Sequence, residues 1–124
     1  MRESQMGHIG IIDDDPLVRD GLKDCMESAG YSVETFGSAE EFLTSKSSRT
    51  ASCLIIDIQL PGMSGLELQR TLSTLEDRVP IVFVTAHGTD ATCKQALWNG
   101  AAALLSKPFR REELLNVVRT AIRQ

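Results

Sequence analysis

Five side chains in this chain of 124 residues are of types that handle phosphate: Asp13, Asp14, Asp57, Thr85 and Lys107. Each stands at or just past the end of a short apolar run. Asp13 and Asp14 close "HIGIIDD", Asp57 closes "CLIID", Thr85 closes "PIVFVT", and Lys107 follows "AALLS". Singly, each has a plain reading: a solvated acid, a strand threonine, a surface lysine. Brought together they make a different case. Three carboxylates in one crevice repel and raise one another's pKa values. A hard divalent cation removes that conflict, and magnesium suits it, because it prefers oxygen ligands, takes one or two carboxylates and keeps several waters. A carboxylate in such a place can act as a nucleophile and form an aspartyl phosphate. Phosphoryl transfer asks mainly for positioning and charge neutralisation, which a metal and a lysine supply. Lys107 and the Thr85 hydroxyl would then hold the phosphoryl oxygens. A glycine-rich phosphate loop is absent, so the donor need not be a nucleotide. Asp15, directly before Pro16, reads first as a helix N-cap.

Such convergence needs elements that end together. "HIGIID" (8–13) reads as a strand and is followed by a helix from Pro16. That helix carries Leu17, Val18, Leu22, Cys25, Met26 and Ala29 at helical spacing, with Gly30 closing it. "YSVETF" (31–36) alternates as a strand does. Ser38 with Glu41 has capping-box spacing and opens a short helix over 38–46. "TSKSSRTAS" (44–52) reads as a surface loop. "CLIID" (53–57) is a third strand. Ser64 with Glu67 repeats the capping box ahead of Leu66, Leu68, Leu72 and Leu75. "PIVFVTA" (80–86) is a fourth strand, rich in β-branched residues. A helix over 88–99 ends at Gly100, "AALLS" (102–106) is a fifth strand, and 110–123 is a final helix with Leu114, Val117, Val118 and Ala121 on one face. Strand and helix alternate five times, which predicts an α/β fold with a parallel sheet between two helical layers. The flavodoxin-like doubly wound (βα)5 order 2-1-3-4-5 leads, and in such sheets ligands bind outside the carboxyl ends of the strands.

Composition fits one compact domain over 1–124: 42% hydrophobic, 24% charged, net charge -4. The mild negative charge argues against direct nucleic-acid binding by this domain. No apolar run approaches a membrane span, and "MRESQMGHIGIIDDD" lacks a signal-peptide pattern, so a cytoplasmic location is expected. Cys25, Cys53 and Cys93 are far apart and read as small buried or half-buried thiols rather than zinc ligands. His8 and His87 have no ligand partner by spacing.

The ordered segments "IIDDDPLVR", "LIIDIQLPGMSGLEL", "PIVFVTAHG" and "GAAALLSKPF" span nearly the whole chain. Together they resemble the receiver domain of two-component response regulators, in the chemotaxis-regulator-like superfamily. The stretch "HGTDATCKQALWNGAAALLSKPF" is most similar to receivers of nitrogen-fixation-type transcription regulators. The resemblance implies a phosphoacceptor at Asp57 that promotes its own phosphorylation and dephosphorylation, not an enzyme in the usual sense. It implies a magnesium site in which Asp14 is a direct ligand beside Asp57, Asp13 acts through water, and Gln59 offers its backbone carbonyl. Thr85 becomes the switch hydroxyl, Lys107 the phosphate-pairing lysine, and the Lys107–Pro108 bond is expected cis. The implied donor is a sensor histidine kinase or a phosphotransfer protein.

The implied output surface is the fourth helix, fifth strand and fifth helix, facing an output domain or a second copy. Leu97 and Trp98 on the fourth helix are either interface residues there or half-buried core. One position departs from the family. Three residues before the lysine, where an aromatic ring often swings inward with the threonine, stands Leu104. That predicts signalling through a backbone or helix shift. Gln59 and His87, two residues beyond Asp57 and Thr85, are expected at the crevice mouth beside the water that attacks the acyl phosphate. Two other classes stand against this reading. One is a magnesium-dependent phosphohydrolase with an aspartyl nucleophile, which would turn over a phosphomonoester. The other is a receiver-like binding module that takes no phosphate.

Overall fold

The protein, seen here as a computed structural model, is described over residues 7–46, 50–74, 79–86 and 90–123. Strands and helices alternate as β1 (His8–Ile12), α1 (Pro16–Ser28), β2 (Ser32–Phe36), α2 (Ala39–Leu43), β3 (Cys53–Asp57), α3 (Gly65–Ser73), β4 (Ile81–Thr85), α4 (Asp90–Trp98), β5 (Ala103–Ser106) and α5 (Arg111–Arg123). All pairings are parallel, and the sheet order is β2-β1-β3-β4-β5. This is the flavodoxin-like order expected from the alternation. His87, Leu75 and the expected start of α4 at 88–89 lie outside the described residues, as do 47–49 of the 44–52 loop.

Local chemistry explains where the helices begin. The Asp15 carboxylate accepts the Leu17 N–H at 2.9 Å, with Pro16 in the first turn of α1. At α3 the capping box is complete: Ser64 accepts from Glu67, and Glu67 accepts from Ser64. At α2 it is half made, because Glu41 turns to the N–H of Gly37 instead. This helix is also shorter than expected. The Thr44 and Ser45 hydroxyls bond back to the carbonyls of Glu41 and Phe42, so local side-chain bonds cover the helix end.

The two faces of the sheet bury separate clusters. Ile9, Ile11, Cys53, Ile55, Val82 and Val84 pack under α1 and α5. Leu54, Ile56, Ile81 and Phe83 pack with Phe36 and Phe42 under α2 and α3. This is the period of two that a pleated strand imposes. Each fully buried aliphatic side chain contributes about 1.5–3 kcal/mol relative to exposure.

One face assignment needs correction. Leu17 is 81% exposed. It is five residues from Leu22, which at about 100° per residue carries it well off the Leu22–Met26 stripe. The three cysteines are free thiols, Cys53 buried and the other two half-buried. Burial pushes the Cys53 thiol up to about 12. No helix among the described residues is long and apolar enough to cross a membrane.

Helix α4 is lightly anchored. Among its described side chains only Ala96 is buried. Gln69 of α3, itself buried, donates its Nε2 to the Ala96 carbonyl at 3.0 Å. Leu97 is exposed, and Trp98 is 87% exposed. The choice the sequence left between core and surface therefore falls to surface for both.

Candidate functional site

Strand parity sorts the five chemical side chains. Asp13, Asp57 and Lys107 continue the alternation of Ile9 and Ile11, Cys53 and Ile55, and Ala103 and Leu105. They therefore leave the sheet on the α1/α5 side. Thr85 follows the opposite alternation, that of Ile81 and Phe83, and shares it with Leu104. The ladder runs on past the strand ends. Asp13 N–H donates to Phe36 O at 3.1 Å, Ile58 N–H to Val84 O at 3.1 Å, and Lys107 N–H to Thr85 O at 2.8 Å. These bonds fix the backbone from which the candidate side chains project. The Lys107–Pro108 bond is cis, as expected.

The resulting cluster is tight. Lys107 Nζ lies 3.4 Å from Asp13 Oδ2 and 3.6 Å from Asp57 Oδ2. Carboxylate oxygens of Asp13, Asp14 and Asp57 lie within 4.8 Å of one another. The remaining oxygens are also held. Asp13 Oδ1 accepts the N–H of Asp15, and Asp57 Oδ1 accepts the N–H of Gln59, both at 2.9 Å. Asp13, Asp57 and Thr85 are buried, while Asp14 and the Gln59 side chain are exposed. Thus Asp13, Asp14, Asp57 and Lys107 gather at the carboxyl end of the sheet with the Gln59 backbone beside them, and Thr85 closes the neighbouring strand β4 with the opposite parity. The donor set is hard oxygen throughout, with a buried acid behind and an exposed acid in front, which fits a cation that keeps water ligands.

Sequence reasoning missed two supports of this site. Arg19 of α1 donates Nη1 to the Asp13 carbonyl at 2.8 Å and so ties the acidic loop to the helix after it. Gly65 brings α3 against the end of β3: a methyl group there would lie 2.7 Å from the Asp57 carbonyl oxygen and 2.9 Å from Ile58 Cα. A signal for Gly65 was available. Glycine is a poor helix residue, so finding it in a helical first turn marks a close backbone approach. Arg19 offered no such sign.

The Asp13 carboxyl is pushed above its ordinary value, chiefly by burial and in part by Asp57, against the pull of the Asp15 N–H and Lys107. Its folded pKa is therefore above the unfolded one. Holding it ionised costs stability at neutral pH, and the cost is relieved as pH falls through the folded pKa. Asp13→Asn keeps an acceptor for the Asp15 N–H and leaves Lys107 its Asp57 partner. In metal-free protein at neutral pH it should raise the melting temperature. The gap should narrow as pH is lowered from neutral toward the range where carboxylates titrate. Thermal melts in chelator across that range check both; a variant that melts no higher than the parent would contradict the cost assigned to Asp13.

Residues 9–119 match the family model of the response regulator receiver domain. Among curated proteins, the chain is 42% identical over 115 residues to the response regulator protein TodT of Pseudomonas putida, covering 93% of this chain and 51% of that one. It is 36% identical over 118 residues to the transcriptional regulatory protein FixJ of Bradyrhizobium diazoefficiens, covering 95% and 58%. The crystal structure of full-length FixJ from B. japonicum superposes with a TM-score of 0.89 at 35% identity, over 98% of this chain and 59% of that chain. The chain thus spans about half the length of the curated relatives it matches. With the expected sheet order, an acidic cluster at the strand ends and a family model that matches residues 9–119, the chain belongs to the receiver domains of two-component response regulators.

Proposed function

We propose that Asp57 accepts a phosphoryl group from a sensor histidine kinase or a phosphotransfer protein in the cytoplasm. The observation that carries this is the convergence of Asp13, Asp14, Asp57 and Lys107 at the carboxyl end of the sheet, with the Asp57 carboxylate fixed in rotation by Gln59 and Lys107. A carboxylate oxygen of Asp57 attacks phosphorus, the new O–P bond forms, and the bond to the donor's imidazole nitrogen breaks, the nitrogen keeping the electron pair. Lys107, already between two carboxylates, takes up phosphoryl oxygens, and the Thr85 hydroxyl supplies a further donor. Magnesium bound by Asp14, Asp57, the Gln59 carbonyl and, through water, Asp13 would neutralise charge on the transferring group. Gln59, exposed at the mouth, orients or obstructs the water that later attacks the acyl phosphate.

The output face is α4, β5 and α5, for a second copy or an output domain such as transcription regulators carry. Leu104 is half-buried opposite Phe83 and has no ring to swing. The signal therefore travels by a shift of backbone or of α4.

Labelling tests this reading. An acyl phosphate with magnesium should add one phosphoryl group, mapped to Asp57 by peptide mass, and a chelator should stop it. By calorimetry, Asp14→Ala should weaken magnesium binding about tenfold or more, because losing a direct ligand costs at least as much as losing an outer partner. Asp15→Ala should leave affinity nearly unchanged and instead lower stability by about 0.5–2 kcal/mol, the worth of its helix cap. Equal losses in affinity would mean that the two acids have been assigned the wrong way round.

A further inference from the structure

We infer that Glu40 is a positioning residue for the Asp57 site, holding from outside the β3–α3 loop that carries Gln59. The inference rests on the proposed function for its consequence and on geometry for its substance. Helix α2 is a firm platform: Ala39 and Phe42 are fully buried, and the Phe42 ring meets Phe36 edge to face at 5.2 Å. From that platform Glu40 reaches across 23 positions of sequence, and its Oε2 accepts the N–H of Met63 at 2.9 Å. Gly62 shows how closely the carboxylate is seated. Its φ of +73° suits glycine, and a Cβ there would lie 2.9 Å from Glu40 Oε2. The Met63 N–H also draws the Glu40 carboxyl below its usual range, as a charge-assisted bond does.

The rest of the loop is secured by its own ends and by the buried side chains of Ile58 and Leu60. Gln59 N–H is held by Asp57 Oδ1 at 2.9 Å, Gly65 N–H by the Ile58 carbonyl at 3.0 Å, and Ser64 by its capping box. Glu40 is the hydrogen-bond partner that reaches the loop from a different helix. Without it the crest at Pro61–Met63 loses its tie to α2, and the segment that carries the Gln59 carbonyl is held less firmly. The fold does not depend on this bond, because Glu40 is exposed and the two clusters pack without it.

Glu40→Ala and Glu40→Gln separate the possibilities. In Glu40→Ala the magnesium Kd, measured by calorimetry, should rise about three- to tenfold, at or below the low end for outer partners of metal ligands. Phosphoryl labelling should slow at limiting magnesium and recover at saturation. The Met63 amide should exchange faster with solvent while the core amides stay protected. Glu40→Gln keeps an acceptor oxygen and should remain near the parent. Parental magnesium affinity and Met63 exchange in Glu40→Ala would overturn the inference. So would a Gln variant as weak as Ala, since charge at a distance, not a hydrogen bond, would then be responsible. A parent that takes no phosphoryl group at Asp57 would sink the proposed function instead, and Met63 exchange would still judge the clamp.

Discussion

Asp57→Asn is expected to cut phosphoryl incorporation by on the order of a thousandfold or more, as loss of a nucleophile does, with the fold intact. The two halves of that expectation come from different observations. Asparagine offers the Gln59 N–H the same acceptor oxygen that Asp57 Oδ1 provides at 2.9 Å. It also removes one of three crowded carboxylates, so the repulsion that helps raise Asp13 falls. The variant should therefore melt at or above the parent's temperature. What it lacks is an anionic oxygen, because the amide lone pair is delocalised and is a poor nucleophile. Intact mass against time in an acyl phosphate, run beside a thermal melt, reads both halves. Labelling at the parent's rate, or on Asp13 or Asp14, would move the reacting group elsewhere.

Gly65→Ala should carry the largest stability loss of any single methyl group in the molecule that touches the site. Two effects oppose each other there. Alanine gains up to about 1 kcal/mol of helix propensity over glycine in a helix interior, and less in a first turn. Against that, its methyl would fall 2.7 Å from the Asp57 carbonyl oxygen, 2.9 Å from Ile58 Cα and 3.1 Å from the Ile58 carbonyl oxygen. All three are backbone atoms, unable to rotate away, so α3 must retreat from β3. Overpacking of this kind costs roughly 1–3 kcal/mol, and the net effect is a loss. Chemical denaturation should give a midpoint lowered accordingly. The retreat also pulls at the Gly65–Ile58 hydrogen bond of 3.0 Å, so labelling of Asp57 should slow beyond what the stability loss explains. A variant as stable and as readily labelled as the parent would show that the approach of α3 can relax without cost.

The parts of this molecule written in short-range pattern were legible from the chain. Alternating strands and helices, the Asp15 and Ser64 caps and the strand-end acids all follow from neighbours a few positions apart, and the sheet order came out as expected. The parts that depend on distant partners were not. Nothing local to Glu40 points to Met63, because a single hydrogen bond across 23 positions leaves no periodic trace. No sequence pattern marks Gln69 as buried, because the Ala96 carbonyl that takes its hydrogen bond lies 27 positions on. Leu17 shows the reverse failure. An apolar residue one step from Val18 looked like part of the same stripe, and the helical angle carried it into water.

The exposure of Trp98 has a practical side. It is the only tryptophan in the chain, so the indole emission of the whole protein comes from one point on α4. With Trp98 87% exposed, that emission is expected at the red, water-relaxed end of its range. A shift to the blue, or resistance to an aqueous quencher, then signals that something has covered this spot. The wild-type sequence therefore carries its own optical gauge of whether α4 is covered, with no label attached.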